Sequence, residues 1–120
     1  MSISTNVVSL HPYFKAKPGQ LAEAKAMLPR FVAATSAEKL VLHYDFTING
    51  DEIFCRESYA GAEGLLAHLE NVGAVLGEFL KSCDLTRIEV HGPAGELAKL
   101  KDALAGLNPV WFVYECGLNR

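Results

Sequence analysis

Two side chains of this 120-residue chain have the type and setting to carry a proton, Glu57 and His68. The case for Glu57 rests on strand parity. Leu40, Leu42, Tyr44, Phe46 and Ile48 alternate with Val41, His43, Asp45 and Thr47, the period of a strand with one dry face. Asn49-Gly50 supplies the residues that most readily take the positive φ of a tight hairpin, and residues 53–59 return as the partner strand. A two-residue loop sets Ile48 opposite Asp51, Tyr44 opposite Cys55 and Leu42 opposite Glu57; a four-residue loop keeps the same facing. Glu57 therefore shares the face that helices must cover, where burial raises a carboxyl pKa and fits the group for acid or base work. The competing reading is a carboxyl occupied by a tyrosine hydroxyl or a backbone amide.

His68 lies three residues after Leu65 and beside Leu69, at the edge of a helix's dry face, where an imidazole can point into a pocket between helix and sheet. A histidine that merely borders the core is the plainer alternative. Tyr13, Tyr44, Tyr59, Phe79 and Trp111 could line a cavity for a flat ring, although aromatics on dry faces also make ordinary core. His43 falls opposite Arg56 on the other sheet face with Asp45 diagonal to Arg56, a trio suited to a dimer interface. His11, His43, His68 and His91 sit on four separate elements with no carboxylate at ligand spacing, which argues against a metal. The absence of a Gly-rich phosphate loop, a Gly-x-Ser-x-Gly elbow and a Cys/His nucleophile pair counts against nucleotide binding and acyl transfer.

These residues need a scaffold, and the periodicities supply one. Residues 6–15 read as a first strand through Val7, Val8, Leu10, Tyr13 and Phe14. Leu21, Ala24, Leu28, Phe31 and Val32 recur at helical spacing, with Pro29 predicting a kink or two abutting pieces. Residues 62–83 read as a second helix carrying Leu65, Leu66, Leu69, Val72, Leu76, Phe79 and Leu80, broken near Asn71 to Gly73; Leu85 to His91 is a strand. The order is that of the ferredoxin-like split βαββαβ arrangement, an α+β fold whose antiparallel sheet carries its helices on one face. A short helix with Leu97, Leu100, Leu104 and Leu107 follows, then a fifth strand over residues 110–116. With Trp111, Phe112 and Tyr114 in it, that strand must join its own sheet or a partner's.

Composition limits the partners. Half the residues are apolar and linkers and repeats are absent, which suits one domain over residues 1–120. The net charge of −3 is spread along the chain with no basic cluster, so nucleic acid is not an expected partner. Met1 to Leu10 lacks a basic start followed by a long apolar stretch, and no segment approaches the roughly 20 apolar residues of a membrane span. A cytoplasmic protein with no membrane association is expected. Cys55, Cys83 and Cys116 are odd in number and far apart, which suggests free thiols.

Thr35, Glu38, Leu42, Tyr44 and Asp45, followed by Glu57, Tyr59, Leu65 and His68, fall in the places of a recurrent pattern. In it a helix ending in Thr leads through a Glu-containing turn to a Tyr-Asp strand; the next strand ends in Glu and an aromatic, and a helix with Leu-x-x-His follows. By this pattern the chain resembles the antibiotic-biosynthesis-monooxygenase family of dimeric α/β-barrel proteins. It departs where Lys39-Leu40-Val41 replaces the usual Pro-Gly-Cys, and where Asn71-Val72-Gly73-Ala74 stands in place of a further histidine. The resemblance implies a homodimer and a cofactor-independent monooxygenase acting on a small phenolic, quinol or anthrone-like aromatic, whose own carbanion reduces oxygen. His68 and Glu57 would be the catalytic pair, with Tyr44, Tyr59, Tyr13, Phe79 and Trp111 around the substrate. The alternative is a noncatalytic small-ligand or stress-associated binding protein of the same fold. Haem-degrading relatives share an Asn on the first strand, which Asn6 could match, but Tyr59 and Val75-Leu76-Gly77 stand where they carry Trp and His.

Overall fold

The computed structural model describes residues 6–118. In strand β1 (Val7–Ala16), Val8, Leu10, Pro12, Phe14 and Ala16 are buried, while Ser9, His11, Tyr13 and Lys15 alternate onto the opposite face. Helix α1 (Leu21–Thr35) follows, then β2 (Val41–Asn49), β3 (Glu52–Ala60), α2 (Gly61–Phe79) and β4 (Cys83–Gly92). Short helices α3 (Ala94–Ala98) and α4 (Lys101–Leu104), with a 3-10 turn at Ala105–Leu107, lead to β5 (Val110–Val113).

The sheet order is β2-β3-β1-β4-β5. Its first four strands pair antiparallel, as the ferredoxin-like reading expects. The fifth joins its own sheet and runs parallel to β4, with Val90 opposite Trp111 and His91 opposite Phe112, so the sheet is mixed rather than antiparallel. The strand is also shorter than the apolar run that predicted it: Tyr114 makes one further bond, to the Gly92 carbonyl at 2.8 Å, and residues 115–118 lie outside the sheet.

The hairpin corrects the predicted register. Asn49 pairs with Glu52, which leaves Gly50-Asp51 as the loop, because only Gly50 (φ +61°) takes a positive φ there. Each strand gains one residue at the turn. Parity survives, but Tyr44 now faces Glu57 and Phe46 faces Cys55. A bulge between Val41 and His43 lifts Leu42 out of the dry face, leaving it 54% exposed. On the other face Asp45, not His43, is directly opposite Arg56, at 3.6 Å, while His43 faces Ser58 and bonds its hydroxyl at 2.8 Å.

Both helices are more continuous than predicted. Pro29 sits on the exposed side of an uninterrupted α1, whose inner face buries Ala24, Phe31 and Thr35. α2 runs without a break through Asn71 to Gly73: Gly73 faces open space, Val72 is buried, and the Asn71 amide bonds the Ala34 carbonyl at 2.9 Å. It ends at Phe79, and Cys83 opens β4 instead of closing the helix. At its start no local side chain caps the helix. Glu96, on α3, accepts the Ala62 N–H at 2.8 Å, and Gly61 (φ +79°) brings the chain in so close that a Cβ there would lie 3.0 Å from the Glu96 carboxylate.

Two apolar clusters fill the space between helices and sheet. One gathers Val8, Leu10, Tyr59, Leu65, Val90, Leu97, Leu100 and Leu104; the other gathers Phe14, Phe31, Ile53, Val72 and Phe79. Among the described residues no helix is long and apolar enough to cross a membrane.

Candidate functional site

A cavity of about 60 Å³ is lined from both clusters, by Leu10 and Ile88 of the first and Phe14, Phe31, Val72 and Phe79 of the second. Glu57, His68, Tyr44 and Cys55 bring the polar side chains to a lining that is otherwise apolar. Strand β3 delivers Glu57 between Leu10 on β1 and Tyr44 on β2, and α2 delivers His68 from above. Glu57 is 3% and His68 2% exposed. The His68 Nε2 lies 3.4 Å from Glu57 Oε1, so the two candidates meet at one wall. Leu80 and Leu107 line the cavity and are also exposed, which marks its solvent end.

A third group joins them. The His68 Nδ1 is 2.8 Å from Glu38 Oε2, in the turn after α1, and the Asn71 amide nitrogen donates to the same oxygen at 2.8 Å. The Tyr59 hydroxyl donates to Glu57 Oε1 at 2.6 Å, and the rings of Tyr44 and Tyr59 lie 5.0 and 5.1 Å from the imidazole. Thr35 Oγ1 and Glu38 Oε1 are buried with no hydrogen-bond partner among the described residues.

The electrostatics follow from the dry surroundings. Burial pushes the Glu57 carboxyl up to about 7; the Tyr59 hydroxyl and the Cys55 thiol beside it pull the other way by favouring the carboxylate. Burial lowers the His68 pKa, opposed by the hydrogen bond and charge of Glu38. The phenols of Tyr44 and Tyr59 are raised by burial and then by the nearby Glu57, so both stay neutral donors. Near neutral pH the site thus holds a carboxyl poised to give up a proton and an imidazole able to take one, the separation of roles that acid–base catalysis needs.

The five proposed ring contacts do not all converge. Tyr44 and Phe79 line the cavity, and Tyr59, fully buried, reaches it through its bond to Glu57. Tyr13 is on the opposite sheet face, 4.7 Å from the Phe54 ring, because odd-numbered β1 residues point away from the helices. Trp111 packs against the first cluster under the Lys101 ammonium, 4.0 Å from its ring, since β5 sits at the sheet edge farthest from β2. Tyr13 and Trp111 therefore do not line this cavity. Glu38 matched the recurrent pattern but received no role from the sequence, and Asn71 entered as a predicted helix break and as the place of a missing histidine, without a role in the site; helix spacing does connect Asn71 with His68, three residues apart on α2. Among the described residues no group of three or more His, Cys, Asp and Glu could hold a metal ion.

No family profile and no curated protein matches the chain. Solved structures do. MupZ from Pseudomonas fluorescens is 37% identical over 96% of this chain and 95% of its own, with a TM-score of 0.92. An antibiotic biosynthesis monooxygenase aligns with 69% of this chain and 92% of its own at 16% identity and a TM-score of 0.60. A Bacteroides thetaiotaomicron protein of unknown function, described as a possible oxidoreductase, aligns with 72% of this chain and 96% of its own at 16% identity and a TM-score of 0.65. The last two show a shared fold; the first shows a shared family.

Proposed function

The chain belongs to the family of MupZ, within the antibiotic-biosynthesis-monooxygenase fold, and from that footing we propose a cofactor-independent monooxygenase for a small phenolic, quinol or anthrone-like aromatic. The observation that carries the proposal is the buried Glu57–His68 pair, 3.4 Å apart in the wall of an apolar cavity. In this reading the ring displaces Leu80 and Leu107 on entry and packs against Tyr44 and Phe79. His68 takes a proton from the hydroxyl of a phenol or quinol, or from the methylene of an anthrone, which leaves carbanion character on a carbon that still bears one hydrogen. The carbanion gives an electron pair to dioxygen, a C–O bond forms, and Glu57 protonates the distal peroxide oxygen. Loss of the remaining hydrogen on that carbon as a proton, with cleavage of the O–O bond, leaves a carbonyl and water. Substrate is oxidised and dioxygen reduced, so the electrons balance.

Oxygen uptake tests it. Purified protein should consume oxygen with a reduced naphthoquinone or an anthrone, and His68→Ala and Glu57→Gln should each lower the rate by about 10²-fold while weakening binding less. Parent-like turnover in both variants would overturn the assignment. A second reading, a noncatalytic binder of small ligands, has one observation in its favour: the 2.6 Å Tyr59 bond already gives Glu57 a structural partner. Saturable ligand binding without oxygen uptake would select it.

The same proposal includes a homodimer in the cytoplasm. Its support is the helix-free sheet face, where Tyr13, Phe54, His11, His91 and Phe112 form a run of stacked and tilted rings, with Val110 exposed on the same face of β5 as Phe112. The free thiols of Cys55, Cys83 and Cys116 suit a reducing compartment. Sedimentation at the mass of one chain across micromolar concentrations would reject the dimer.

A further inference from the structure

Glu38 Oε2 receives two contacts at 2.8 Å, one from the Asn71 side-chain nitrogen and one from His68 Nδ1. As a carboxylate, Glu38 Oε2 can only accept, which agrees with the Asn71 amide nitrogen donating to it. The imidazole nitrogen beside it must then be an N–H. A neutral imidazole has a single N–H, which leaves Nε2 with a bare lone pair. That lone pair faces Glu57 Oε1 across 3.4 Å, and Oε1 already accepts the Tyr59 hydroxyl. Two acceptors facing each other need a proton between them. It sits on the Glu57 carboxyl in one state and on His68 in the other.

We propose that Glu38 is a positioning residue: it holds His68 with Nδ1 protonated and Nε2 bare toward Glu57 and the cavity, and Asn71 in turn holds Glu38. Three features of the scaffold support this. Glu38 sits in the turn after α1, with its own N–H bonded to the Thr35 carbonyl at 3.0 Å, so its backbone is anchored to the helix end. Asn71 Nδ2 also reaches the Ala34 carbonyl at 2.9 Å, which ties α2 to the same helix end. His68 and Asn71, three residues apart on α2, therefore meet Glu38 as a pair. The arrangement is the logic of an acid residue orienting a histidine base, built here from an α1–β2 turn and one helix face. Its bearing on rate rests on the acid–base reading given above; the tautomer it sets does not.

The test reads the tautomer directly. Long-range proton–nitrogen correlation spectra of the whole protein labelled with ¹⁵N-histidine, with the His68 signals identified by their loss in His68→Ala, should show Nδ1 protonated and Nε2 bare near neutral pH. Glu38→Ala should lose the Nδ1–H form. Glu38→Gln keeps an acceptor oxygen and should restore it, yet without the carboxylate charge both His68 and Glu57 should titrate at lower pH, because Glu38 raises each of them. Nε2–H in the parent protein, or an unchanged Nδ1–H form in Glu38→Ala, overturns the proposal. The parent spectrum decides even where Glu38→Ala does not fold. No substrate is needed, so absence of oxygen uptake with an Nδ1–H spectrum removes the oxygenase reading alone, and an Nε2–H spectrum with oxygen uptake removes the positioning role alone.

Discussion

Replacing Glu57 with Gln should change how the protein's stability depends on pH more than how stable it is. Burial moves the carboxyl from 4.5 to about 7, so the folded state holds that proton more tightly than the unfolded chain does. The stability linked to this group is complete below pH 4.5, declines as pH rises toward 7 and is gone above it. A displacement of that size corresponds to about 3 kcal/mol. The group is only 3% exposed, so solvent screening reduces this little. His68 contributes with the opposite sign, since its lowered pKa costs stability as pH falls below 6.5, and because it lies 3.4 Å from Glu57 the difference between parent and variant reports the pair. Gln at position 57 keeps an oxygen to accept the Tyr59 hydroxyl and removes the titration. Urea unfolding followed by the fluorescence of Trp111, the single tryptophan, at half-unit steps from pH 4.5 to 8 should show the variant gaining about 3 kcal/mol relative to the parent across the range. A difference constant to within about 0.5 kcal/mol would refute the claim that Glu57 is protonated by burial.

Two glycines of α2 make an internal control. A Cβ at Gly64 would lie 3.0 Å from the Cβ atoms of Leu40 and Tyr59, which cannot swing away, so Gly64→Ala should cost about 1–3 kcal/mol in chemical unfolding, whereas Gly73→Ala faces open space and should gain up to about 1 kcal/mol. Deleting the residues after Leu107 removes Trp111 from the core and β5 from the sheet edge, and should yield aggregates or a destabilised monomer by sedimentation and thermal melting. Exposed Cys116 should be alkylated first; buried Cys55 and Cys83, whose thiols burial raises (Cys83 to about 11), should react only as the protein opens, which mass spectrometry of timed samples would reveal.

Much of the scaffold was legible because its signals are local. The alternation of Leu40 to Ile48 and the leucine spacing of α2 each report one element's dry face, and hairpin parity put Glu57 on the correct side even with the register off by one residue per strand. The register itself was not readable, since Asn49 and Gly50 both tolerate positive φ and the choice depends on what Asp51 can do. β1 carries apolar residues on both parities, Val7 beside Val8 and Tyr13 beside Phe14, so the sequence does not say which tyrosines face inward. Glu38 and His68 are separated by thirty residues and belong to different elements, and no periodicity links them. Their meeting is a product of how α1 packs on α2.

The reach of Glu96 onto the first turn of α2 makes the segment after β4 more than a lid over apolar surface. It supplies the electronegative end-group for the helix that carries His68, and Gly61 exists in a form that accommodates it. For anyone building chimeras, positions 61 and 96 are one heritable unit. A segment borrowed without an acid at 96 leaves the helix start bare, and a borrowed helix with a side chain at 61 collides with the resident acid, so the two must be exchanged together.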